Sequence, residues 1–87
     1  MEAGFDGVPN IGPGLATALE LIGVRSVGDL RAEGAIAVWE RLCSAGLRDC
    51  DGAWLLDLEG AVAGVRWHRL PADVRRRLTE YVARRQR

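Results

Sequence analysis

Glycine and proline cut this chain into pieces that suit short helices and little else. Pro9, Gly12 and Pro13 precede the first segment of regularly spaced apolar residues, and Gly23, Gly34, Gly46 and Gly64 each follow such a segment. Pro13 and Pro71 stand where a first helical residue tolerates a missing N–H, and the glycines stand where a helix stops in a left-handed conformation. No stretch shows a convincing period-two alternation of a half-buried strand. The pattern therefore predicts an all-α domain of about five short helices with short connections.

The first helix is expected from Pro13 to about Ile22, with Leu15, Leu19 and Ile22 as its buried stripe and Gly23-Val24 as its stop. Ser26 and Asp29 have the spacing of a capping box, which predicts a second helix from Val27 to Glu33, closed by Gly34. A third runs from Ala35 to Ala45 with Ile36, Trp39, Leu42 and Cys43 on one face and Trp39 as a core anchor. Asp49 or Asp51 is placed to cap a fourth helix, Gly52 to Ala63, whose apolar face is Trp54, Leu55, Leu58 and Val62. Gly60 interrupts it, and a mid-helix glycine that costs about 1 kcal/mol is expected to admit a closely packed helix. Glu59, in the same apolar helix, is expected to accept a hydrogen bond from a neighbouring helix end. The fifth helix starts at Pro71 and turns Val74, Leu78, Tyr81 and Val82 inward. Between the fourth and fifth, Trp67 is expected to cap the core with its ring and His68 to lie at the surface.

At 87 residues, 48% of them hydrophobic and 28% charged, the chain has the composition of one folded domain, residues 1–87 with a lead of residues 1–7. Its longest apolar runs are far shorter than the roughly 20 residues of a membrane span, and a cytoplasmic protein is expected. Cys43 and Cys50, without a secretion signal, read most simply as reduced, small hydrophobic residues, with a disulfide as the alternative. With the single His68 they do not make a zinc set, and no acid–base pair, phosphate loop or carboxylate cluster supports catalysis. No enzyme activity, metal or cofactor is expected.

The formal net charge is zero, but it is divided. Residues 66–87 hold eight arginines against Asp73 and Glu80, whereas residues 1–65 hold four arginines against ten acids. Two places could meet an anionic partner. The first is the turn "PNIGPGLA", which resembles the turn and second-helix start of a helix-hairpin-helix element, with Asn10 where glycine is frequent. There the backbone N–H groups around Gly12, Gly14 and Leu15 could hold a phosphate. Gly14 stands where DNA-binding versions often carry a basic side chain, and Glu2, Asp6 and Glu20 surround the turn. The second is the last helix, where Arg76, Arg77, Arg84 and Arg87 share a broad side and Arg75 lies apart. The spacing also allows i, i+4 pairs between Asp73 and Arg77, Arg76 and Glu80, and Glu80 and Arg84, which would make the same stripe an ordinary solvated face.

Three ordered blocks, "PNIGPGLATALELIGV", "SVGDLRAEGAIAVWERL" and "LLDLEGAVAGVRWHRLPADVRRRL", together resemble the C-terminal domain of the TfoX/Sxy family of bacterial regulators associated with competence for DNA uptake. The resemblance covers about Val8 to Leu78 and is carried chiefly by the combination of the hairpin turn with Leu58 to Ala61, Gly64, Trp67 and Leu70-Pro71. It implies a compact helical domain of the helix-hairpin-helix or SAM-like kind, without an enzymatic centre, in an intracellular regulatory setting. Two-domain members carry an α/β domain ahead of this one; here Met1 lies seven residues before the match, and a stand-alone domain is expected. Two functions follow as alternatives. One is docking on a protein partner, a transcription regulator or a separately encoded domain. The other is direct, largely non-sequence-specific DNA binding through Gly12 to Leu15 and Arg75, Arg76, Arg77 and Arg84.

Overall fold

The computed structural model describes residues 4–5, 7–47 and 52–85. Among them are five α-helices and a short 3-10 turn: α1 (Pro13–Leu21), α2 (Val27–Glu33), α3 (Ala35–Ser44), α4 (Gly52–Ala63), the turn Trp67–Arg69, and α5 (Ala72–Arg85). No strand occurs among the described residues, so the fold is all-α. No helix among them is long and apolar enough to cross a membrane.

The stops act as their residue types dictate. Gly23 takes φ 87°, and Val24 N–H donates to Leu19 O at 2.9 Å while Gly23 N–H donates to Glu20 O at 3.0 Å. This closes α1 with Leu19 O, which also accepts from Ile22 N–H, and Glu20 O satisfied, and with Val24 buried behind it. Gly64, at φ 78°, ends α4 in the same way, with Val65 N–H on Gly60 O. Ser26 Oγ accepts from Asp29 N–H at 3.1 Å at the start of α2. The Asp29 carboxylate returns to Arg25 N–H, one residue ahead of the cap, so the capping box is shifted by one donor.

A single cluster forms the core. Leu15, Ala18 and Leu19 of α1, Leu30 of α2, Val38, Trp39 and Leu42 of α3, Leu55, Leu58 and Ala61 of α4, and Leu78 and Val82 of α5 are all buried, together with Phe5, Ile11, Val24 and Ala35. Trp39 is 1% exposed and meets Tyr81 edge to face, ring centroids 6.0 Å apart. The inward stripe of α3 is thus Ala35, Val38, Trp39 and Leu42, rotated from the expected one. Because α2 packs beside α3 through Gly34, Val38 faces inward, Ile36 is left at the edge and Cys43 is half-buried. On α4 the buried residues are Leu55, Leu58, Gly60 and Ala61, with Trp54 and Val62 at the margins. The expected caps Asp49 and Asp51 lie outside the described residues.

Cys43 is disulfide-bonded, the alternative to the simpler reading of a reduced thiol. It sits in the last turn of α3, short of full burial, and so is open to a covalent partner rather than sealed as a core methylene would be. Cys50, the other cysteine, lies outside the described residues.

Several arginines serve the fold. Arg41 donates to Ile22 O at the C-terminal end of α1 and pairs with Glu33 at 2.6 Å. Arg31 Nε donates to Val62 O, 3.1 Å away, in the last turn of α4. A guanidinium at a helix C-terminus satisfies an unpaired carbonyl and opposes the negative end of the dipole. Between α3 and α5, Tyr81 O–H donates to Glu40 Oε2 and Arg85 Nε donates to Glu40 Oε1 at 2.7 Å.

Candidate interaction surfaces

The hairpin turn is held from below by one side chain. Asn10 adopts φ 76°, a left-handed conformation that asparagine tolerates, and its amide bridges to the chain that follows α4. Its Nδ2 donates to Val65 O at 2.8 Å, and its Oδ1 accepts from Trp67 N–H at 2.9 Å. One primary amide thereby satisfies a backbone donor and a backbone acceptor more than fifty residues away, much as a neighbouring strand would. Gly60 makes room for it: a Cβ there would lie 2.6 Å from Asn10 Nδ2, 2.8 Å from Val65 O and 3.0 Å from Trp67 N. What approaches Gly60 is accordingly an asparagine amide and a loop backbone, not the helix that its position suggested.

Beyond this clamp, Gly12 caps α1 without a side-chain hydrogen bond, and Gly12 and Gly14 are exposed, with open space where a side chain would stand. Leu15 is buried, so only its N–H belongs to this surface. Among the described residues the turn is followed by α1, and none before Val8 is helical.

The arginines of α5 separate into different roles. Arg75 is half-buried, its Nε donating to Leu70 O at 3.2 Å. Arg77 lies 3.7 Å from Asp73, both well exposed. Among the described residues neither Arg76 with Glu80 nor Glu80 with Arg84 forms an ion pair; two exposed long side chains give up too much freedom for the small Coulomb gain in water. Arg76 is exposed, and Arg84 stands with Arg77 at the edge of a groove. Gly12 and the arginines line different clefts, so the hairpin and the α5 stripe do not converge on one site.

That groove, about 350 Å³, runs between α3, α4 and α5. Ile36, Val74, Leu78 and Tyr81 supply its apolar lining, and Arg77, Arg84, Glu59 and Glu80 its charged lining. Glu59 accepts no hydrogen bond among the described residues and serves as groove lining, not as a helix-end acceptor. Tyr81 is fixed there by Glu40. The Tyr81 hydroxyl first, and the Arg85 guanidinium second, hold the Glu40 carboxyl below the usual carboxylate range, and the same bond pushes the Tyr81 phenol up.

Trp67 does not cap the core. It is 41% exposed and meets His68 edge to face, with centroids 5.8 Å apart, while its backbone N–H is held by Asn10.

The chain belongs to the TfoX C-terminal domain family, whose sequence profile matches residues 1–82. No curated protein matches it. Among solved structures it is similar to the crystal structure, in a triclinic form, of an uncharacterized protein from Listeria monocytogenes, with a TM-score of 0.89 and 27% identity over 97% of this chain and 94% of that one.

Of the positions that sequence spacing singled out, Arg77 and Arg84 are brought together, Gly12, Gly14 and the Leu15 N–H remain a separate surface, and Arg75 is diverted to the backbone. Sequence spacing did not show the groove: Ile36 was assigned to the core, and Glu59 to a helix end. The signal available for it was the mixed face of α5, where Val74 and Tyr81 flank the buried Leu78 and Val82.

Proposed function

We propose that this domain is a non-enzymatic interaction module that docks on a protein partner in the regulation of DNA uptake, using the groove between α3, α4 and α5. The observation that supports this reading is an apolar wall of Ile36, Val74 and Tyr81 bordered by Arg77 and Arg84, of which Arg84 has no ion-pair partner among the described residues. Apolar anchors beside arginine are the usual ingredients of a protein-binding hot spot. The net positive charge of α5 suits a partner segment that presents an apolar side chain flanked by carboxylates. Duplex DNA binding by α5 has less support, because Arg75 is tied to Leu70 O and Asp73 and Glu80 are interspersed among the free arginines.

A photo-crosslinking side chain at position 36 in the host cell tests the reading. It should yield one protein adduct that disappears with Arg77→Glu plus Arg84→Glu and survives Leu21→Asp, which changes an exposed residue outside the groove. Adducts from a position outside the groove, with none from position 36, would reject it.

A further inference from the structure

The two longest stretches of this chain without an acidic residue are 7–19, which holds the hairpin turn, and 60–72, which holds the 3-10 turn. In a chain with as many acids as bases, the Asn10 clamp fastens these two stretches side by side. Residues 60–72 supply Arg66, Trp67, His68 and Arg69 in a row. All four are exposed, and neither guanidinium has a partner among the described residues. Arg69 N–H donates to Arg66 O at 2.8 Å, closing one 3-10 turn. Arg66 directly precedes the exposed Trp67 and Arg69 follows it by two residues, so both cations lie within two residues of the ring along the chain. Gly12, the uncapped start of α1, follows Asn10 by two residues and is within about 7 Å of it along the chain.

We infer that Arg66, Trp67 and Arg69 form a contact site for single-stranded nucleic acid, with Trp67 stacking on a base and the two arginines holding successive phosphates. An exposed aromatic platform between free cations is the combination that holds a single strand without reading its sequence. The indole is already set for it, since the turn that carries it is pinned through Trp67 N–H and not through its ring. Duplex DNA keeps its bases stacked inside and has no use for the platform. An acidic peptide could use the arginines but would not depend on the ring. The site is separate from the α3–α4–α5 groove and does not require the docking proposed for it.

The test is fluorescence anisotropy of labelled dT15 and rU15 with the whole chain at about 50 and 200 mM salt, unlabelled dT15, an unlabelled 15-base-pair duplex and polyglutamate serving as competitors. Two phosphate contacts on a single strand predict about a sevenfold loss of affinity between the two salt concentrations. Trp67→Ala should weaken binding at least about fivefold, the lower end of a base–aromatic stack. Arg66→Glu plus Arg69→Glu should abolish it, while Arg76→Glu plus Arg84→Glu and Ile36→Glu should leave it in place. Circular dichroism melts of each variant show that it is folded. A preference between dT15 and rU15 names the nucleic acid. No binding at 50 mM salt, binding indifferent to Trp67→Ala in a folded variant, or competition by polyglutamate as strong as by unlabelled dT15 would each overturn the inference.

Discussion

The Asn10 side-chain amide occupies the space that a Cβ on Gly60 would fill, 2.6 Å from that position. Fifty residues apart in sequence, the two make one device: a left-handed turn residue that supplies the bonds, and a helix residue with nothing to obstruct them. It couples the hairpin turn to the chain between α4 and α5, and both exposed surfaces on that side of the molecule depend on it.

Gly60→Ala should therefore destabilise the domain, although alanine is the better helix former. Overpacking of about 1–3 kcal/mol opposes a propensity gain of about 1 kcal/mol, and two of the three close atoms belong to backbone, which cannot swing aside. Asn10→Gly should lose about 1–3 kcal/mol through two hydrogen bonds, and Asn10→Ala more, because alanine resists φ 76°. Urea unfolding followed by circular dichroism would read the order; Asn10→Ala no worse than Asn10→Gly would contradict it.

Gly14 calls for the opposite outcome. It lies in the first turn of α1 without a positive φ, and an added Cβ meets nothing within 4 Å. Gly14→Ala should raise stability by about 0.5–1 kcal/mol through the lower entropy of the unfolded chain. A melting temperature that fails to rise would mean that the turn needs glycine for a reason outside its own geometry.

These two glycines also show how much of the molecule could be read in advance. Helix limits were legible because each is written locally: Pro13 and Gly23 bound α1, Ser26 and Gly34 bound α2, and the elements begin and end within about two residues of those signals. Faces were less legible, since Ile36 and Val38 are both apolar and only the packing of α2 on α3 decides which is buried. The Asn10 clamp was not legible at all. Its partners are a carbonyl and an N–H, which every residue owns, so no residue type at 65 or 67 announces them. Trp67 was misplaced as well: its backbone N–H is bound by Asn10, and its ring is 41% exposed.

Acid should loosen the contact between α3 and α5. The Tyr81 hydroxyl and then Arg85 hold the folded-state pKa of Glu40 below its unfolded value, so the folded protein binds fewer protons than the unfolded one in that window. Its contribution is full above the ordinary glutamate pKa of about 4.3 and is lost as pH falls through the lowered folded value. Glu40→Gln should remove part of the fall in melting temperature between about pH 5 and pH 3. An unchanged acid limb would mean that the carboxylate is equally solvated in both states.

The groove prediction separates docking from folding. Ile36 is at the rim, exposed, and outside the inward stripe of α3, so Ile36→Glu removes an apolar anchor without opening a cavity in the core. Surface changes of this kind alter stability by about 0.5 kcal/mol or less. Val38→Ala, by contrast, empties part of a fully buried site and should cost more than 1 kcal/mol. If the groove holds the protein partner, Ile36→Glu should abolish capture of that partner and lower transformation frequency while its melting temperature stays near that of the unaltered chain. Val38→Ala should lower the melting temperature and, where the protein remains folded, leave capture intact. Reversal of that pattern, with capture following stability and not position 36, would remove the groove from the interface.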